Sequence, residues 1–151
     1  MTNGRNKGRA GEQEFCHWIT NNLGVEVTPE RNLEQVRSGG SDICNVYPFI
    51  FEVKRCESLD LQAFWNQVKF AWEYYRERDD ETIDVNLIPV VAFRQNRKPW
   101  EFLVSAELIK LELGFVRLDS RTFIRWAKRQ LIMYQDQQIT DMCDVDLRRI
   151  L

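Results

Sequence analysis

The sequence predicts an α/β domain in which helices flank a central mixed β-sheet. Three observations point to it. Three stretches carry apolar residues at helical spacing, the runs between them are short and apolar or β-branched, and the two kinds alternate along the chain. The composition suits a packed core: of 151 residues, 44% are hydrophobic and 12% aromatic, and the 29% charged is ordinary for a globular chain. One domain is expected over 1–151, with its core at about 7–134 and a tail at 135–151, because no repeat, low-complexity stretch or Pro/Ser linker divides it. No apolar run approaches the ~18–20 residues that a membrane crossing needs. The basic start MTNGRNKGRAGEQEF has no apolar segment behind it, so a cytoplasmic protein without a membrane partner is expected.

The elements follow in order. Phe15, Ile19 and Leu23 recur at helical spacing and Gly24 supplies a stop, which predicts a helix over 9–23. Val25–Thr28 reads as a short strand and Val36–Ser41 as a glycine-bearing loop. Asp42–Val46 and Phe49–Lys54 read as two strands of a hairpin turning at Tyr47-Pro48. Ser58 is the expected N-cap of a long helix to about Arg78, with Leu61, Phe64, Trp65, Val68, Trp72 and Tyr75 at helical spacing. That spacing assigns Trp65, Trp72 and Tyr75 to core packing rather than base stacking; Trp18 and Trp100 are expected to be buried as well. Val85–Phe93 is the β-branched run of a buried central strand. A turn at Arg94–Pro99, a strand at Trp100–Val104 and a further candidate strand at Leu111–Leu118 come next. Ser120 is expected to cap a helix to about Tyr134, with Phe123, Trp126, Ala127 and Leu131 inward, before an acidic, weakly helical tail at Ile139–Leu151.

Cys16, Cys44, Cys56 and Cys143 form no CxxC pair, and His17 is the single histidine, so buried free thiols are expected rather than a zinc site. The net charge of −2 does not by itself favour nucleic acid, but the distribution is uneven. Arg5, Lys7 and Arg9 open the chain and suit a flexible arm on a DNA backbone. Arg117, Arg121, Arg125 and Arg129 recur at four-residue spacing beside Lys128, a stripe without alternating acids. Acids gather instead at Glu73–Asp84 and Asp136–Asp146.

Chemistry concentrates at the hairpin. Alternation along Phe49–Lys54 puts Glu52 and Lys54 on one face of the strand, Phe51 and Val53 on the other. A turn at Tyr47-Pro48 brings Asp42 opposite Val53 or Lys54, within reach of Glu52. Two carboxylates held together repel unless a cation lies between them, and magnesium suits oxygen donors of this kind. The Val53 carbonyl is a further candidate oxygen donor between them. Such a site fits phosphodiester cleavage, with Lys54 orienting water or offsetting transition-state charge. Glu12 would add a third carboxylate from the first helix, as a ligand or through a water, and Gln67 could orient the same site. Arg37, Ser38 and Gly39 lie where a scissile phosphate would approach, with glycine allowing backbone N–H groups close.

The run Gly8-Arg9-Ala10-Gly11-Glu12-Gln13-Glu14-Phe15, then Ser38-Gly39-Gly40-Ser41-Asp42-Ile43, then Phe51-Glu52-Val53-Lys54 resembles the PD-(D/E)XK nuclease superfamily. Order and spacing are most similar to archaeal and phage Holliday-junction resolvases, and Ile88–Phe93 followed by Lys98–Phe102 resembles their second hairpin. The likeness spans roughly Lys7 to Ala106. It implies a restriction-endonuclease-like core, Asp42 and Glu52 as metal ligands, Glu12 as the helical acid and Lys54 as the catalytic lysine. It also implies magnesium or manganese as cofactor and a homodimer acting on branched DNA. Ser41 stands where the superfamily's motif has proline, and the chain is net acidic where such resolvases are basic, which bears on junction specificity more than on cleavage. Two other functions are compatible: a repair or restriction-like nuclease acting on linear duplex, or a non-catalytic DNA- or partner-binding module of the same fold.

Overall fold

The computed structural model describes residues 4–24, 30–31, 42–44, 46–77, 87–106 and 114–150. Helix α1 (Gly4–Leu23) leads into strands β1 (Glu30–Arg31), β2 (Ile43–Cys44) and β3 (Phe49–Arg55). Helix α2 (Leu61–Glu77), strands β4 (Ile88–Arg94), β5 (Glu101–Ser105) and β6 (Phe115–Asp119), and helix α3 (Ser120–Ile150) complete the order. The six strands form one mixed sheet in sequence order. Neighbours run antiparallel except β3 and β4, which are parallel, with Glu52 beside Val91 and Lys54 beside Phe93. A parallel pair cannot be closed by a tight turn, and α2 occupies the crossover between them.

Alternation along the strands sorts the helices onto the two faces. Phe49, Phe51 and Val53 of β3, Val90 and Ala92 of β4, and Phe102 and Val104 of β5 pack with Phe15 and Ile19 of α1 and Phe123 of α3. The Phe123 ring stacks on Phe102 at 3.7 Å between centroids. On the other face, Val91, Phe93 and Leu103 meet Trp65 and Val68 of α2. The result is an α/β sandwich of three layers, with the mixed sheet flanked by helices as the periodicity predicts. Among the described residues, no helix is long and apolar enough to cross a membrane.

Several boundaries differ from expectation, each for a local reason. The first helix begins at Gly4, so Arg5, Lys7 and Arg9 lie within its first turns rather than on a separate arm. Asp60, not Ser58, caps α2: its carboxylate accepts the Ala63 N–H at 2.9 Å. Asp119 likewise caps α3 by accepting the Thr122 N–H at 2.7 Å, while the Ser120 hydroxyl donates to the Trp100 carbonyl. Helix α3 continues to Ile150, so the weakly helical tail expected from Ile139 is an extension of the same helix rather than a separate segment. Arg117 sits on β6 and is ion-paired with Glu101, which removes it from the arginine stripe of α3. The strand expected at Val25–Thr28 lies outside the described residues, as do Val85 and residues 111–113 of two other expected strands. Trp65 and Trp100 are buried; Trp72 is half-buried and its indole N–H donates to the Leu87 carbonyl at 2.9 Å. Tyr75 is half-buried. Cys16 is buried and Cys56 half-buried.

Candidate active site

The hairpin delivers one carboxylate as a structural part of the sheet. Ile43 pairs with Phe51, and the Asp42 N–H donates to the Phe51 carbonyl at 2.9 Å. Further along β3, the Asp42 side chain serves as acceptor: Val53 N–H donates to its Oδ2 at 2.7 Å. The register therefore puts Asp42 level with Glu52, one residue short of the expected alignment, and the carboxylate itself bridges the difference. A buried N–H left without an acceptor would be costly, so this bond ties the position of Asp42 to the pairing of the strands.

Glu52 follows from the parallel register. Its neighbour Val91 belongs to the α2 face, so the Glu52 side chain enters the same apolar layer. Asp42 and Glu52 are 9% and 7% exposed, the buried charged side chains among the described residues. Burial raises the Glu52 carboxyl to about 7 from an ordinary 4.5, and the Asp42 charge pushes the same way. Lys54 opposes both by charge and hydrogen bond, and Glu12 adds a smaller upward push. The Lys54 ammonium stands 2.5 Å from Glu52 Oε1 at the rim of the sheet.

Helix α1 lies against the end of β3. A Cβ on Gly11 would stand 2.8 Å from the Cβ of Arg55, so only glycine permits this approach. One step further along, Glu14 pairs with Arg94 at 2.6 Å and with Arg55 at 3.4 Å. Sequence reasoning assigned no role to this trio. Its signal was an arginine closing each of two apolar strands, but pairing them requires the parallel register, in which Arg55 sits beside Arg94.

The remaining predicted residues divide. Glu12 is half-buried on α1 and reaches Glu52 through its charge. Gln67 is exposed on α2, and no hydrogen bond among the described residues brings it to the carboxylates. Arg9 is exposed on α1; Arg121 and Arg125 are exposed on the side of α3 away from the buried Phe123 and Ala127. Arg37, Ser38 and Gly39 lie outside the described residues.

Among the described residues, no three His, Cys, Asp or Glu side chains gather closely enough to enclose a metal. The donor set is the Asp42/Glu52 pair, with Glu12 beyond it. Magnesium is commonly held by one or two carboxylates, with water and substrate phosphate completing its shell. Two carboxylates buried side by side, with the charge of Asp42 raising the proton affinity of Glu52, are also the setting a divalent cation relieves, so these residues fit such an ion.

No family model and no curated protein matches the sequence. Among solved structures, the chain is similar to a Holliday junction resolvase from the archaeal hyperthermophile Archaeoglobus fulgidus. The two share 15% identity over 76% of this chain and 89% of that one, with a TM-score of 0.42. That likeness concerns the course of the backbone.

Proposed function

We propose that this protein is a divalent-metal-dependent DNA endonuclease that hydrolyses phosphodiester bonds and selects branched DNA in the manner of Holliday-junction resolvases. The observation that carries the proposal is the pair of buried carboxylates, Asp42 and Glu52, with the Lys54 ammonium on Glu52. A hairpin that buries two acids side by side and fastens a cation to one of them loses stability, which is expected at a functional site.

Asp42 and Glu52 would hold the ion, with the Val53 carbonyl between them as a further oxygen donor. When bound there, magnesium, or manganese in its place, would supply Lewis-acid polarisation of the phosphate and activation of the attacking water. Lys54 offsets negative charge on the phosphate as it builds, and the surrounding low-dielectric layer strengthens that effect. Glu12 would add a third carboxylate, as a ligand or through a water. Arg9, Arg121 and Arg125, with Arg5, Lys7, Arg37, Ser38 and Gly39, are proposed to contact the DNA backbone. Preference for branched DNA and a homodimer with two active sites rest on the sequence motifs around Glu12, Asp42 and Glu52.

Asp42→Asn and Glu52→Gln should each abolish magnesium-dependent cleavage while binding of a four-way junction persists. Lys54→Ala should slow single-turnover cleavage by about 3 kcal/mol, on the order of a hundredfold. A variant cutting at the wild-type rate removes that residue from the chemistry. Equal cleavage of a junction and a linear duplex of the same sequence would favour a linear-duplex nuclease. Absence of metal-dependent cleavage on every substrate would favour a binding module.

A further inference from the structure

We propose that Glu14, held between Arg55 and Arg94, is a positioning residue that fixes the roll of α1 and thereby the distance of Glu12 from the Asp42/Glu52 pair. The inference rests on the assignment of that pair as the ion-holding carboxylates.

The trio is built unlike an ordinary stabilising bridge. One carboxylate serves two guanidinium groups: Arg94 at 2.6 Å and Arg55 at 3.4 Å. Glu14 Oε2, Arg55 Nε and Arg94 Nε are buried without hydrogen-bond partners. Buried polar atoms in that state contribute little to stability, which leaves the geometry the trio specifies as its role. The geometry here is the seating of α1. Arg55 and Arg94 close two strands locked side by side in parallel register, so the anchor points sit together at the ends of the two central strands.

Gly11 marks the line along which α1 touches β3. Successive helical residues advance by about 100°, so Glu14 falls about 60° to one side of that line and Glu12 about 100° to the other. A rotation that frees Glu14 from the arginines therefore swings Glu12 relative to Glu52. Gly11 cannot resist such a rotation because it has no side chain; Glu14 can. Glu12 follows Gly11, which meets β3 at Arg55, three residues beyond Glu52, so a change in the separation of the two acids alters the field in which a cation would bind.

The test is direct manganese binding to the purified full chain without DNA, by titration calorimetry. Glu14→Gln should weaken binding about tenfold, in the range of supporting residues around a metal. In a Glu12→Gln background the same substitution should add nothing, because its effect passes through Glu12. Arg94→Gln should behave as Glu14→Gln does and stands in for it if that variant fails to fold. Unchanged affinity in a folded Glu14 or Arg94 variant overturns the proposal, as does a loss that simply adds to that of Glu12→Gln. Wild-type protein that takes up no manganese overturns the ion-holding assignment itself, and with it this inference.

Discussion

Replacing Glu52 with glutamine should make the metal-free protein more stable than wild type as the pH rises, even though the substitution removes an ion pair. Glu52 is raised from 4.5 to about 7 on folding, so the native state binds this proton more tightly than the unfolded chain. Wild-type stability therefore falls as pH climbs from 4.5 to about 7 and levels off above it, where the carboxylate is charged in both states. At about 1.4 kcal/mol per pH unit, that interval corresponds to roughly 3 kcal/mol. Glutamine does not titrate, and the Lys54 ion pair, which wild type forms only as Glu52 ionises, is already contained in the raised value, so the difference between the two pH profiles reads the Glu52 titration alone. Urea unfolding in the presence of chelator, from about pH 4 to about pH 8, measures the difference. The gap between variant and wild type should widen by about 3 kcal/mol in favour of the variant. Added magnesium at the upper pH should then restore wild type and leave the variant unmoved. Parallel profiles would refute the placement of Glu52 in a desolvated, acid-paired site.

Three further perturbations address the scaffold. Gly11→Ala should destabilise the fold by about 1–3 kcal/mol on thermal unfolding, against the helix propensity that favours alanine, because its Cβ would meet Arg55 at 2.8 Å; a gain in stability would show that α1 can shift at no cost. Arg97 has φ 59 in the turn where the Lys98 N–H donates to the Gln95 carbonyl, so Arg97→Gly should raise stability by up to about 1 kcal/mol in urea unfolding. Phe123→Ala removes a fully buried ring stacked on Phe102, and a loss of about 3–5 kcal/mol is expected by the same measurement.

The hairpin and the central strand were legible from the sequence because their information is local. Phe49–Lys54 alternates, Leu87–Phe93 is continuously apolar, and Tyr47-Pro48 punctuates the chain. Those signals suffice to bring Asp42, Glu52 and Lys54 together. The exact register was not legible, since Asp42 reaches Val53 through its side chain rather than through strand pairing. Cap residues were misassigned for a related reason: Ser58 and Asp60 are chemically equivalent caps, and the choice depends on where α2 leaves the sheet. Glu14 was invisible because its two partners are 41 and 80 residues distant in the chain and become neighbours only once β3 and β4 run parallel. Gln67 illustrates the opposite error, a polar residue on a helix of the right layer whose side chain faces outward.

The bond between Val53 and Asp42 means that one acid is both a strut and a candidate ligand, so the choice of substitution decides what an experiment reports. Asparagine keeps a carbonyl oxygen that can accept the Val53 N–H, and removes only charge. Alanine removes the strut too, and leaves a buried amide without its acceptor. Inactivity of an alanine variant would therefore confound a fraying sheet edge with lost chemistry, whereas inactivity of the asparagine variant speaks to chemistry alone.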